Sequence, residues 1–263
     1  MTLHNDINSE IKFLAKSEIR LKILSELHKK PNDVRGLVKK TNITYSSVSS
    51  NIIKLEKNNY IEKVKKNYRI KPMAKIYFNT LMEFKSSVDL INEYDSFWDR
   101  HNIEELSISS VKSITDLKHS KLIETTPIDI YKTHTVTKKQ LIESKQVKAI
   151  FPYVHPEYPR IIESILKNNG TVELIMPELI SKEIMSRVNK KIQKKALKNH
   201  ELKVYTVKND LNLYLTICDD TMSLGLFKND GSFDQNRILI SDNEMSQNWA
   251  KELFEHVKYQ VIK

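Results

Sequence analysis

The chain has 263 residues, 40% of them hydrophobic and 29% charged, which is a globular balance with room for two domains. A single cysteine, Cys218, excludes an intramolecular disulfide framework and fits a reducing cytosol. Four glycines, with neither G-x-x-x-x-G-K nor G-x-G-x-x-G, leave no phosphate loop for nucleotide hydrolysis. No run approaches the roughly 18 apolar residues of a membrane span, and the early Asp6 and Glu10 are foreign to a secretory leader. The expected location is cytoplasmic, without a membrane partner.

The net charge of +10 is unevenly spread. Lys12 to Phe78 holds 17 basic against 5 acidic residues, whereas residues 79–263 balance at 26 and 26. A basic footprint confined to one module is what binding to DNA phosphates requires. In that module Ile19, Ile23, Leu24 and Leu27 repeat at helical spacing and predict a helix over 17–29 that ends before Pro31. Asn32 is the expected N-cap of a second helix with Val34, Leu37 and Val38 inward, and Thr41-Asn42-Ile43 is a tight turn with Asn42 suited to left-handed backbone. Thr44 then caps a third helix, held down by Val48, Ile52 and Leu55.

That spacing leaves Tyr45, Ser46, Ser47, Ser49, Ser50, Asn51 and Lys54 on the remaining surface, with no carboxylate before Glu56. Hydroxyls, an amide and a lysine bond base edges and phosphates without repelling the backbone. Two strands, Tyr60–Val64 and Tyr68–Lys71, follow around Lys65-Lys66-Asn67, with Asn67 suited to a positive φ. Lys63, Lys65, Lys66 and Arg69 line this hairpin. Thr44, Tyr45, Ser46, Ser47, Ser49, Ser50, Asn51, Lys54, Lys63, Lys65, Lys66 and Arg69 are the expected contacts to double-stranded DNA.

The segment SSVSSNIIKLEKNNYIEKV resembles the winged-helix family of prokaryotic regulators, with its serine-rich recognition helix and short turn into the wing. The glycine common before the wing is Tyr60 here, and Gly36 stands inside a helix where alanine would be about 1 kcal/mol better.

After Pro72 no Gly or Pro interrupts the chain to Asp99, and Tyr77, Leu81, Phe84, Val88 and Ile91 step by 4, 3, 4 and 3. The seam breaks at Asp95 and resumes at Trp98. It predicts a linking helix that joins two copies as a homodimer and spaces their recognition helices about 34 Å apart. A helix packed on its own domain is the alternative.

Beyond residue 102, apolar runs at 147–151, 172–176, 202–207, 213–218 and 222–227 read as strands, with helices at about 157–168, 179–198 and 244–259. Residues 102–140 read as helices and a loop. The expected fold is a two-domain α+β and α/β protein: a winged helix-turn-helix over 1–72, a linking helix over 73–101 and a mixed-sheet α/β effector domain over 102–263.

FPYVHPEYP, VELIMPELI and TICDDTMSLGLFKNDGSFD, with Trp249, Leu253 and Phe254, are similar to archaeal winged-helix regulators that carry the methanogenesis regulatory protein (Fil-type) effector domain. The resemblance implies a transcriptional regulator with a sensor domain related in fold to phospholipase-D-like effector domains. The catalytic H-x-K-x4-D signature of the latter is absent, since Thr126 stands at the Asp position after His119-Ser120-Lys121.

No enzyme chemistry is expected. His155 and Glu157 with Asp219 and Asp220 make a metal site conceivable, but no ligand spacing supports one; His155-Pro156-Glu157 reads as a helix start and Asp219-Asp220 as a turn. No cofactor is predicted. Tyr153, His155, Tyr158, Thr216 and Asp219 fall at strand ends, where α/β sheets bind ligands, and are the expected contacts of a small-molecule effector or protein partner. An unrecognised DNA-targeted enzyme, a nucleoid-type architectural protein, or a regulator whose second domain only dimerises stay open as alternatives.

Overall fold

The computed structural model describes residues 9–262, and the chain divides into two compact units between Ser86 and Ser87. In the first unit a short helix α1 (Ser9–Ala15) precedes α2 (Glu18–Lys29), α3 (Val34–Thr41) and α4 (Tyr45–Lys57). The two-stranded wing β1 (Ile61–Val64) and β2 (Asn67–Ile70) follows, and then α5 (Pro72–Glu93), which continues past the division.

Ile23, Leu24, Leu27, Leu37, Val48, Ile52 and Leu55 are fully buried together, so three helices share one core, and Ala74 and Phe78 of α5 join it. The turn between α3 and α4 is made as its sequence requires: Asn42 is left-handed, at φ 54° and ψ 35°, and donates its N–H to Val38 O. Asn32 does not cap α3. Asp33 does, accepting the Gly36 N–H at 2.7 Å, while Asn32 pairs its backbone with Tyr68 in a single antiparallel bridge alongside β2. The Asn32 side chain also occupies the space a Cβ on Gly36 would take, 2.1 Å from Asn32 Oδ1, so glycine has a local steric reason there. The left-handed residue before the wing is Asn59 (φ 65°), not Tyr60, whose ring is buried.

In the second unit a one-turn helix α6 (Asp95–Trp98), α7 (Ile108–Lys112) and a 3₁₀ turn at Ile114–Leu117 lead into strand β3 (Lys121–Glu124) and helix α8 (Lys132–Glu143). Two strand–helix passages follow: β4 (Gln146–Ile150), α9 (Tyr158–Lys167), β5 (Thr171–Pro177), α10 (Glu178–Arg187), α11 (Lys190–Lys198) and β6 (Leu202–Val207). A meander of β7 (Leu213–Cys218), β8 (Thr221–Leu226) and β9 (Arg237–Ser241) ends in α12 (Glu244–Ile262).

The strands form one seven-stranded mixed sheet in the order β3-β9-β8-β7-β4-β5-β6. β4, β5 and β6 are parallel, and β4 meets β7 antiparallel, Val147 opposite Cys218 and Ile150 opposite Leu215. Helices cover both faces, which is why β7 is buried at every position. On one face Leu215, Leu224 and Leu239 pack with Trp249, Leu253 and Phe254 of α12 and with Leu90 of α5; on the other, Ala149, Leu174 and Tyr214 pack with α8, α9 and Ile184 of α10.

The predicted helix over 179–198 is two helices, broken at Val188 and capped anew by Asn189, whose side chain accepts from Lys191 and Ile192. The meander carries one more strand than expected, β9, and residues 102–140 contribute the edge strand β3. Gly170, where α9 turns into β5, has a strict reason: a Cβ there would lie 2.5 Å from Lys145 O and 2.9 Å from Ile165 O, both backbone. Gly170→Ala is therefore expected to destabilise this unit by about 1–3 kcal/mol, read as a lower denaturation midpoint.

Candidate functional site

The DNA-facing candidates divide by exposure. Ser46, Ser50, Ile53 and Lys57 step by four, three and four along α4 and are all exposed, opposite the buried Val48, Ile52 and Leu55. Tyr45 and Lys54 are exposed beside them; Ser47 and Ser49 are half-buried. Thr44 caps α4, accepting from Ser47 N, and its hydroxyl bonds those of Ser47 at 3.0 Å and Ser46 at 3.3 Å, which fixes the first turn. Asn51 departs from expectation. It is 8% exposed and donates from Nδ2 to Ser47 O, one turn back on its own helix, at 2.9 Å.

Ile53 was hidden from sequence reasoning because an isoleucine among apolar neighbours reads as core. It is 63% exposed, at the middle of the face, where an apolar group can meet a thymine methyl. In the wing, Val64 pairs with Asn67, so Lys65 and Lys66 alone form the turn. The positive φ falls on Lys65 (57°) and not on Asn67. Lys63, Lys65, Lys66 and Arg69 are all exposed, Arg69 forming an ion pair with Glu62 across the strands.

In the second unit a cavity of about 780 Å³ opens at the C-terminal end of β4. Its wall is aromatic: Tyr153, Tyr214 and Phe233 have ring centroids 4.7–6.0 Å apart. Its rim holds His134, His155, Glu157 and Arg237. Tyr153 and His155 thus share this cavity, with Tyr158 directly behind them, buried and stacked on Phe151 at 4.0 Å.

Thr216 and Asp219 do not join them. Thr216 is buried mid-strand opposite Ala149. Asp219 stands at the other end of β4, where its carboxylate accepts Lys145 N at 2.9 Å and Gln146 N at 2.7 Å and its backbone takes φ 24° to close the β7–β8 turn. Antiparallel pairing of β4 with β7 enforces the separation, because the end of one strand lies beside the start of the other.

Glu157 ties the rim together. It accepts from His134 Nε2 at 2.8 Å and forms an ion pair with Lys138, and these partners, Lys138 foremost, pull its carboxyl down to about 2. His155 stacks on His134 at 4.0 Å; burial first, then the adjacent His134, hold it below the usual imidazole range, so it is neutral at pH 7. Its Nδ1 accepts the Glu157 N–H at 3.2 Å, which leaves Nε2 carrying the proton. His134, His155 and Glu157 offer ligand atoms within 4.8 Å of one another, yet the Lys138 ammonium on the carboxylate and the occupied Nδ1 suit an ion-pair network better than a cation site.

The sign of the pH effect follows: a carboxyl lowered on folding stabilises above its ordinary value of 4.5, and the contribution is lost as pH falls towards 2. Glu157→Gln is expected to leave stability at pH 2 nearly unchanged while lowering it at pH 6, measured as melting temperature against pH. Cys218 is buried in β7, which pushes its thiol up to about 12 and keeps it unreactive.

Behind the cavity lies a pair that sequence reasoning missed. Asp234 and the His101 ring, both fully buried, meet at 3.1 Å, and Asp234 also accepts Asn236 N at 3.0 Å and Arg237 Nη1 at 3.3 Å. His101 Nδ1 bonds Phe97 O in α6, and Asn102 N donates to Phe227 O at 2.8 Å. The 227–236 hairpin therefore forms cavity wall on one side and grips the segment after α6 on the other.

A winged helix-turn-helix, a long helix and a mixed-sheet α/β unit with its own cavity make a two-domain fold. The chain belongs to the methanogenesis regulatory protein FilR1 family: residues 8–89 match "Methanogenesis regulatory protein FilR1, N-terminal domain" and residues 130–260 match "Methanogenesis regulatory protein FilR1, middle domain". Over 257 residues it is 24% identical to the methanogenesis regulatory protein FilR1 of Methanothrix harundinacea (strain 6Ac), covering 95% of this chain and 57% of that protein, so it spans little more than half the relative's length. Among solved structures, the archaeal chromatin protein TrmBL2 is 12% identical with a TM-score of 0.43, over 96% of this chain and 98% of that one. The S-adenosylmethionine-dependent methyltransferase SibL gives a TM-score of 0.25 at 8% identity, over 72% of this chain and 60% of that one. Among the described residues no helix is long and apolar enough to cross a membrane.

Proposed function

We propose that this protein is a transcriptional regulator that docks α4 and the wing on duplex DNA as a homodimer and responds to a small molecule in the β4 cavity. The observation that carries the reading is the exposed face of α4, which presents hydroxyls, a tyrosine, Ile53 and lysines beside a lysine-rich wing. It is a surface with a use for DNA and none for its own core. The family's regulatory relative favours the same reading.

Lys65 supplies a second reason. A lysine held at φ 57° is strained by about 1–2 kcal/mol, which glycine would relieve, so a lysine at the wing tip fits a use for its charge. Lys65→Gly is expected to raise the denaturation midpoint of the module while weakening DNA binding. Lys65→Ala with Lys66→Ala tests the interface directly. Affinity for all sequences should fall alike, and the slope of log K against log salt should flatten by about 0.9 for each phosphate that is no longer neutralised. An unchanged slope would remove the wing from the interface.

The homodimer reading rests on α5. Tyr77, Phe84, Val88 and Ile91 of the predicted seam are exposed, Phe84 at 65%, whereas Leu81 packs on the core of the first unit. For the effector, an aromatic wall with a charged, partly neutral-imidazole rim suits a small amphipathic molecule. The hairpin from Phe233 to His101 gives such an occupant a physical route to the segment that follows α5. Tyr153→Ala with His155→Ala should leave DNA binding intact in the absence of metabolites and abolish its change on adding a deproteinised cell extract. Full response in the double variant would move the sensor elsewhere.

A further inference from the structure

The equal totals of acid and base beyond residue 79 conceal a local excess. α11 carries Lys190, Lys191, Lys194, Lys195 and Lys198 within nine residues, and all five are exposed. At about 100° per residue they fall on one arc of about 140°, opposite the buried Ala196 and half-buried Ile192. Helix stability does not ask for this arrangement. Lys190/Lys194, Lys191/Lys195 and Lys194/Lys198 are like charges at i,i+4, and Lys190 and Lys191 stand in the first turn, where the helix dipole opposes a cation and no acid is present.

Neighbouring carboxylates do not neutralise the stripe. Glu163 accepts Asn189 N and pairs with Lys167, Glu183 pairs with Arg187, and Glu201 accepts the Asn199 amide. An uncompensated row of ammonium groups about 13 Å long matches a polyanion of regular charge spacing; along duplex DNA that length faces about four phosphates of one strand.

We infer that α11 is a second DNA contact, a sequence-independent phosphate clamp on the C-terminal unit. The inference rests on the reading of the chain as a DNA-binding protein. Because both elements sit on one chain, binding of the winged helix raises the effective concentration of the clamp at the same duplex.

The test uses the full chain with Lys190, Lys191, Lys194 and Lys198 changed to Gln, which keeps helix propensity. Its comparison is a charge-matched control, Lys112→Gln, Lys118→Gln, Lys121→Gln and Lys251→Gln. Binding to a duplex of about 40 base pairs and random sequence is measured from low to moderate salt, the length being about four turns of DNA. The α11 variant should flatten the slope of log K against log salt by at least about 1.8, the equivalent of two phosphates, and the control by less than about 0.9. The four Lys→Arg changes on α11 should keep the wild-type slope. Equal slopes for the α11 variant and the control would overturn the clamp. If Lys65→Ala with Lys66→Ala flattens the slope while the α11 variant does not, the winged-helix interface stands and only the clamp falls. A wild-type chain without affinity for any duplex removes both.

Discussion

A chain carrying Phe84→Glu and Val88→Glu should sediment as a monomer and lose about 10²- to 10⁴-fold in affinity for a two-fold symmetric site, while its affinity for an isolated half-site changes little. The magnitude is that of turning one bivalent encounter into two separate ones. Both side chains are exposed on α5, so the substitutions put like charges across a shared seam without emptying either core. Leu81, on the same heptad, is unsuitable, because it packs on the winged-helix core and its loss would unfold the module as well. A wild-type chain that is monomeric at micromolar concentration would return the seam to the role of a solvated helix face.

The second large effect concerns Asp234. Asp234→Ala leaves the buried His101 ring, the Asn236 N–H and one arm of Arg237 without their acceptor, and each buried donor left unpaired costs about 1–3 kcal/mol. The loss should appear as a much lower urea midpoint for the C-terminal unit, with the winged helix unaffected. Acid should reproduce part of it. Burial alone would raise the Asp234 carboxyl, but the Asn236 N–H, the Arg237 guanidinium and His101 outweigh burial and hold it below its ordinary 3.8. Its contribution is therefore complete above that value and disappears as pH falls through the lower, folded one. A destabilisation under about 1 kcal/mol, the scale of an ordinary surface change, would mean that the hairpin is held by packing alone and cannot relay a cavity event to His101.

Elements whose pattern agrees with their burial were legible residue by residue. LKVYTV and LYLTIC begin and end as strands where their apolar runs do, because each is bounded by polar turn residues. The turn at Asn42 was legible because few residues take left-handed backbone cheaply. β9 was not, since RILIS follows a loop of Asp, Gln and Asn and starts on an arginine tied to Glu124 across the sheet.

The break at Val188 was invisible in a segment rich in helix formers; only the Asn189 cap marks it. The site followed the same division. A face of α4 can be drawn from periodicity, but not whether an amide on its border points outward or bonds back to its own helix, as Asn51 does to Ser47 O. The cavity needed partners from α8, the β4–α9 loop and the β8–β9 hairpin, so His134, Phe233 and Arg237 could not be joined to His155 by spacing. The same register that collected them carried Asp219 to the opposite end of β4.

The most direct measurement is the ratio of affinities for a duplex from the chain's own upstream region and for a random duplex of equal length, each titrated from low to physiological salt. A regulator with base-reading residues on α4 should hold a ratio of about 10³ or more at physiological salt, and that ratio should fall when Ser50 and Ile53 are changed to alanine. A ratio near one for every upstream and operator-like sequence tried, with the same salt slope on all of them, would contradict sequence-specific regulation and leave only a phosphate-binding protein.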